Sequence, residues 1–184
     1  MGTSHDPYPT GTDQDAPVVR ITVRDPERMH ELGRRLATLL TPGDLVLLSG
    51  ELGAGKTTLT RGLGEGLGVR GAVTSPTFVI ARVHPSLCGG PALVHVDAYR
   101  LGGGLDEMED LDLDVSLPES VVVVEWGDGK VEDLSDARLH VVISRTVGAA
   151  AGPAGAEDAD DVREVTVTGV GPRWAKEDLS PLLV

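Results

Sequence analysis

The segment Gly50-Glu51-Leu52-Gly53-Ala54-Gly55-Lys56-Thr57 fits the pattern G-x-x-x-x-G-K-[ST] without a mismatch. Gly50, Gly53 and Gly55 let the backbone turn sharply and approach phosphate oxygens with no Cβ in the way. Successive N–H groups can then point inward as an anion nest. A helix opening near Lys56 adds the positive end of its dipole. In such a cradle the Lys56 ammonium neutralises the outer phosphates and the Thr57 hydroxyl ligates magnesium. The chemistry is that of a nucleoside triphosphate held with Mg2+.

A triphosphate site also needs an acid that holds the metal through water. Asp97 closes the apolar run LVHV, and Glu125 closes VVVV. Either would stand at the carboxyl edge of a parallel sheet, where open α/β proteins bind ligands. The chain contains no asparagine, so the Asn-Lys-x-Asp reader of guanine is missing, and no Asp-x-x-Gly occurs. ATP is therefore favoured over GTP.

These side chains need a scaffold, and the hydrophobic pattern supplies one. Val18 to Val23 is β-branched and reads as a strand. Asp25 and Pro26 suit the N-cap and first position of a helix, with Met29, Leu32, Leu36, Leu39 and Leu40 as its buried stripe. The turn Thr41-Pro42-Gly43-Asp44 ends it. Leu45 to Ser49 is fully apolar, as in a strand covered on both faces. A helix follows from about Lys56 to Leu67. Further strands are expected at Val79 to Val83, Leu93 to Val96 and Val121 to Glu125, then a final pair at Leu139 to Ser144 and Glu164 to Val170. Leu105 to Ser120 reads as a short helix plus loop. The alternation predicts an α/β fold of the P-loop NTPase type. Its sheet would be mostly parallel and flanked by helices, with antiparallel edge strands.

Residues 1–16 carry almost no apolar side chains and read as a disordered tail. Residues 17–184 form one domain, interrupted by a flexible, acidic insertion at about 147–161. Aromatics make up only 3% of the chain, so the core must be aliphatic. The net charge of −13 argues against a chain that grips nucleic acid by itself, because phosphate neutralisation supplies most of that affinity. A single cysteine, Cys88, excludes an intrachain disulfide and a cysteine-rich zinc site. No secretory signal or bilayer-spanning apolar run is evident, and a cytoplasmic protein is expected.

Four segments recur in a familiar order: GELGAGKTT, TSPTF at Thr74 to Phe78, HVDAYRL at His95 to Leu101, and VEW at Val124 to Trp126. Together they resemble the TsaE (YjeE) family, from about Val18 to the C-terminus. That family is the small ATPase required in bacteria for N6-threonylcarbamoyladenosine at position 37 of tRNA. The resemblance implies ATP held by Gly50 to Thr58, with Thr57 and Glu125 sharing the Mg2+. It implies Asp97 near the γ-phosphate, Lys56, Asp97 and Glu125 as the catalytic groups, Thr77 of TSPTF as a nucleotide-reporting contact, and Trp126 beside the site. Arg163 is the best match to a basic residue close to the base. TsaB and TsaD are the implied protein partners, with tRNA met only indirectly. The chain departs mildly from the family pattern at Glu51, where aspartate is frequent, and at Gly127, where proline is frequent.

Other residues have plainer readings. His95, on an apolar strand, is expected to be structural. His30, His84 and His140 show no metal-ligand spacing. The acidic run from Asp106 to Asp114 reads as a solvated face, with a docking surface as the alternative. Arg100 could touch phosphate or pair with an acid. A small-molecule kinase of the P-loop class is the competing function, but it would need an arginine-bearing lid that the sequence does not display. A non-catalytic nucleotide sensor is the third.

Overall fold

The computed structural model describes residues 16–51, 55–70, 81–97, 117–125, 135–145 and 162–183. The expected tail up to residue 15, the insertion, the TSPTF segment, Arg100, Trp126 and the whole acidic run from Asp106 to Asp114 lie outside these residues. Seven strands are described: β1 (Val18–Val23), β2 (Leu45–Gly50), β3 (Ala81–His84), β4 (Ala92–Asp97), β5 (Ser120–Glu125), β6 (Arg138–Arg145) and β7 (Arg163–Val170). Two α-helices accompany them, α1 (Pro26–Leu39) and α2 (Lys56–Leu67).

The strands form one sheet in the order β1-β7-β6-β2-β5-β4-β3. The central four, β6-β2-β5-β4, are parallel. Antiparallel partners close both flanks: β7 and then β1 beyond β6, and β3 beyond β4. The expected α/β arrangement with antiparallel edges is thus the one observed. β3 ends one residue later than the apolar pattern indicated, and Ser120 belongs to β5, not to the segment before it.

Central strands hidden from water must be apolar on both faces, and they are. Val46, Leu48, Val121, Val123, Leu139 and Val141 join one buried cluster with Met29, Leu32 and Leu36 of α1 and Leu59 and Leu63 of α2. On the other face Leu45, Leu47, Val94, Val96, Val122 and Val124 are buried as well.

Helix α1 starts where the sequence requires. Asp25 is extended, and its Oδ1 accepts from the Arg28 N–H at 2.8 Å. Helix α2 starts at Gly55 with φ of 107° and ends at Gly68 with φ of 71°, both left-handed conformations that glycine adopts at little cost. The two helices meet along a seam of glycines. A Cβ on Gly33 would run into the backbone carbonyl of Leu59, and one on Gly62 into that of His30. On Gly66 it would lie 2.6 Å from the Ala37 Cβ.

The end of α1 is clamped from the C-terminal segment. Arg173 reaches the buried Asp44 carboxylate twice at 3.3 Å, the Leu39 carbonyl at 3.1 Å and Glu177 at 2.6 Å. Its guanidinium also lies 4.2 Å from the ring centre of the buried Trp174. Removing one partner of a buried ion pair strands the other charge. Arg173→Ala is therefore expected to cost about 2 kcal/mol, the part-exposed arginine keeping it below the range for fully buried pairs. A loss of unfolding free energy below about 0.5 kcal/mol, read from the shift in urea midpoint at constant slope, would remove this role. Among the described residues, no helix is long and apolar enough to cross a membrane.

Candidate functional site

The carboxyl edge of the parallel strands gathers the chemistry. Gly50 ends β2, and the loop from it leads into α2. Glu51 is exposed, while Leu52, Gly53, Ala54 and Thr77 lie outside the described residues. Gly55 caps α2 in a conformation that L side chains rarely adopt, and a Cβ there would sit 3.3 Å from the Met29 Cε. No side chain caps the helix. The first turn, which contains Lys56, Thr57 and Thr58, presents backbone N–H groups and the positive end of the helix dipole, a setting that suits an anion.

Lys56 is only 7% exposed, and its Nζ donates to the Gly50 carbonyl at 2.7 Å. Burial lowers the pKa of its ammonium, while the carboxylates of Glu125 and Asp97 pull it back up. Those two acids are direct register partners across β4 and β5, and Leu48 of β2 is the partner of Glu125 on the other side. Since parallel register partners point to one face, Asp97 and Glu125 face the same way, toward the helix layer. The sequence offered them as alternatives, and the sheet brings them together.

Arg163 opens β7, level with Arg145 at the end of β6 and with Val23 at the end of β1. Because β7 runs antiparallel to β6, its first residue reaches the edge on which the loop opens. Arg145 was not singled out in the sequence. Its signal is only a terminal position on a strand next to β2, and that becomes readable once strand order is known.

Do these residues fit a triphosphate and its magnesium? Glu125 is 4% exposed, and its Oε1 has no hydrogen-bond partner. A buried carboxylate beside a buried lysine and a helix N-terminus has the donor chemistry a hard cation prefers. Among the described residues, no group of three or more His, Cys, Asp or Glu could form a protein-only metal cage. Magnesium at a phosphate site needs none, because one or two protein oxygens plus phosphate and water complete its shell. The residues fit.

His95 is completely buried, as a structural histidine would be, but its surroundings are not those of a satisfied one. Its Nε2 stands 3.4 Å from the Glu125 Oε1, and neither ring nitrogen makes a hydrogen bond. His140 lies on the other face, where its Nε2 meets the Ser49 hydroxyl at 3.1 Å.

Fold and loop define an α/β protein of the P-loop type. A crystal structure of YdiB from Bacillus subtilis superposes with a TM-score of 0.64 at 34% identity, covering 86% of this chain and 90% of that one. The family profile described as threonylcarbamoyl adenosine biosynthesis protein TsaE matches residues 23–150. The chain belongs to the TsaE family. It is 74% identical to the tRNA threonylcarbamoyladenosine biosynthesis protein TsaE of Streptomyces coelicolor, over 84% of this chain and 99% of that relative. The protein of the same name from Bacillus subtilis is 40% identical over 82% of this chain and 85% of its own length.

Proposed function

We propose that this chain binds ATP with Mg2+ at Gly50 to Thr58 and hydrolyses it as an accessory subunit in threonylcarbamoylation of adenosine 37 of tRNA, acting on a TsaB–TsaD transferase. The observation that carries the chemical part is the meeting of three charges at one sheet edge. Buried Lys56 lies within electrostatic reach of both Glu125 and Asp97, which stand side by side. Family membership carries the biological part.

In this reading Lys56 and the first-turn amides of α2 hold the β and γ phosphates and stabilise the charge that builds up as the γ-phosphate leaves. The Thr57 hydroxyl and Glu125 hold the metal. Magnesium supplies the positive charge that offsets the phosphate oxygens. Asp97, beside Glu125, orients water toward the γ-phosphate or toward the ion. Arg163, joined by Arg145, lies where the nucleotide could extend along the edge, and Thr77 reports its state. A net charge of −13 disfavours direct capture of tRNA, so the tRNA is reached through the partner proteins. A cytoplasmic location goes with work on tRNA.

The test is reconstitution with TsaB, TsaD, tRNA and threonylcarbamoyl donor. The chain alone should hydrolyse ATP weakly, and the partners should stimulate it. Glu125→Ala should leave modification unsupported. Brisk turnover without partners, or wild-type protein that fails to support modification, would overturn the proposal. Full support from Glu125→Ala would make the chain a nucleotide sensor, and phosphate transfer to a metabolite would make it a kinase.

A further inference from the structure

We infer that His95 is a positioning residue, which holds the Glu125 carboxylate in the pose that receives the metal. The inference rests on the proposed ATP and magnesium site and adds a residue to it.

The geometry begins with sheet register. His95 lies two residues before Asp97 on β4, and Asp97 is the partner of Glu125 on β5. Side chains two apart on a strand share a face. His95, Asp97 and Glu125 therefore project from one face over two neighbouring strands. The His95 Nε2 reaches within 3.4 Å of the Glu125 Oε1. Proper N–H···O bonds close at about 2.9 Å, so a small rotation of the carboxylate converts the contact into a bond.

Energetics makes the residue type informative. His95 is 0% exposed and is paired in register with Val123 within the apolar sheet. Both ring nitrogens lack hydrogen bonds, as does the Glu125 oxygen they approach. A buried polar group left unpaired is destabilising. A leucine would fill the position without that cost. The sequence places a histidine at a position of β4 from which its side chain reaches the acid at the end of β5. Carboxylates that ligate metals are themselves oriented by hydrogen bonds from an outer layer of residues. An Nε2–H directed at one oxygen fixes the group and leaves the other oxygen for the ion. Both the Nε2 tautomer and the imidazolium carry that hydrogen, so the role does not depend on the charge of the ring.

The test compares His95→Gln, whose amide nitrogen falls near the position of Nε2, with His95→Leu, which keeps similar bulk and no donor. Mn2+ binding is followed by electron paramagnetic resonance with ADP present, and ADP binding is measured separately in excess chelator. All three proteins should bind ADP alike without metal. With Mn2+, His95→Leu should lose about 10- to 100-fold in metal affinity, and His95→Gln should recover most of it. Mn2+ affinity unchanged in His95→Leu would overturn the assignment and leave the nucleotide site standing. Equal losses in both variants would also overturn it, because packing alone would then explain the residue. If His95→Leu fails to fold, the comparison of His95→Gln with wild type decides: retained affinity supports the role, and a Leu-sized loss refutes it. Wild-type protein that binds neither ADP nor Mn2+ would remove the nucleotide reading and this inference together.

Discussion

Lys56→Ala is expected to weaken Mg2+·ATP binding by at least about 100-fold. The ammonium is buried and donates to the Gly50 carbonyl at 2.7 Å; burial lowers its pKa, and the carboxylates of Glu125 and Asp97 oppose that shift. In the proposed reading it exchanges that carbonyl for phosphate oxygens. A hydrogen bond to a charged group contributes about 1.5–3 kcal/mol. Two such bonds give about 3–6 kcal/mol, or two to four decades of affinity. Alanine also removes the ammonium that offsets the two neighbouring carboxylates, which moves affinity in the same direction. Isothermal titration of ATP with excess Mg2+ measures the effect, with circular dichroism to confirm that the variant folds. A folded variant that binds within about threefold of wild type would show that the loop is not the nucleotide cradle.

A second large effect concerns stability. Gly62→Ala is expected to destabilise the protein by about 3 kcal/mol or more, at the upper end of overpacking costs. Helix propensity alone gives the opposite sign, since alanine exceeds glycine by about 1 kcal/mol within a helix. Packing wins because the new Cβ would overlap the His30 carbonyl, which is backbone in α1 and cannot rotate away. For a chain of this size about 3 kcal/mol corresponds to a fall of about 6–12 °C in Tm. Gly90→Ala is the control. Its nearest neighbour would be the Cys88 Sγ at 3.7 Å, an ordinary contact, and Tm should hold. If Gly62→Ala melted at or above the wild-type temperature, the seam would not be as close as described.

Much of this was legible in the sequence, for identifiable reasons. Asp25-Pro26 is a helix start written in two residues, and α1 opens there. Uninterrupted runs such as VVVV can be buried only in central strands, and β5 is central. The loop motif carries its own geometry, so Gly55 and Lys56 stand where the pattern put them. Lateral order was less accessible. That β4 lies beside β5, and places Asp97 level with Glu125, depends on chain crossovers that leave no local mark. The same is true of Arg145 beside Arg163. His95 looked like an ordinary core residue because nothing in LVHVD shows that an acid from another strand ends beside it. The glycines of α2 could have been read: Gly62 and Gly66 are one helical turn apart, a spacing that lets backbones approach. Their low helix propensity drew attention to the loop motif upstream and not to the face they form.

The glycine seam has a mechanical consequence. Where two backbones touch with no side chains between them, neither can slide or tilt without breaking many contacts at once. The helix that carries Lys56 is thereby locked to its neighbour, and through the Arg173 clamp to the chain's end. Helices α1 and α2 therefore behave as one block. Force from a phosphate pulling on Lys56 meets a fixed anvil and not a lever. Under the proposed function, a nucleotide would thus bind against a rigid two-helix seat that keeps its position.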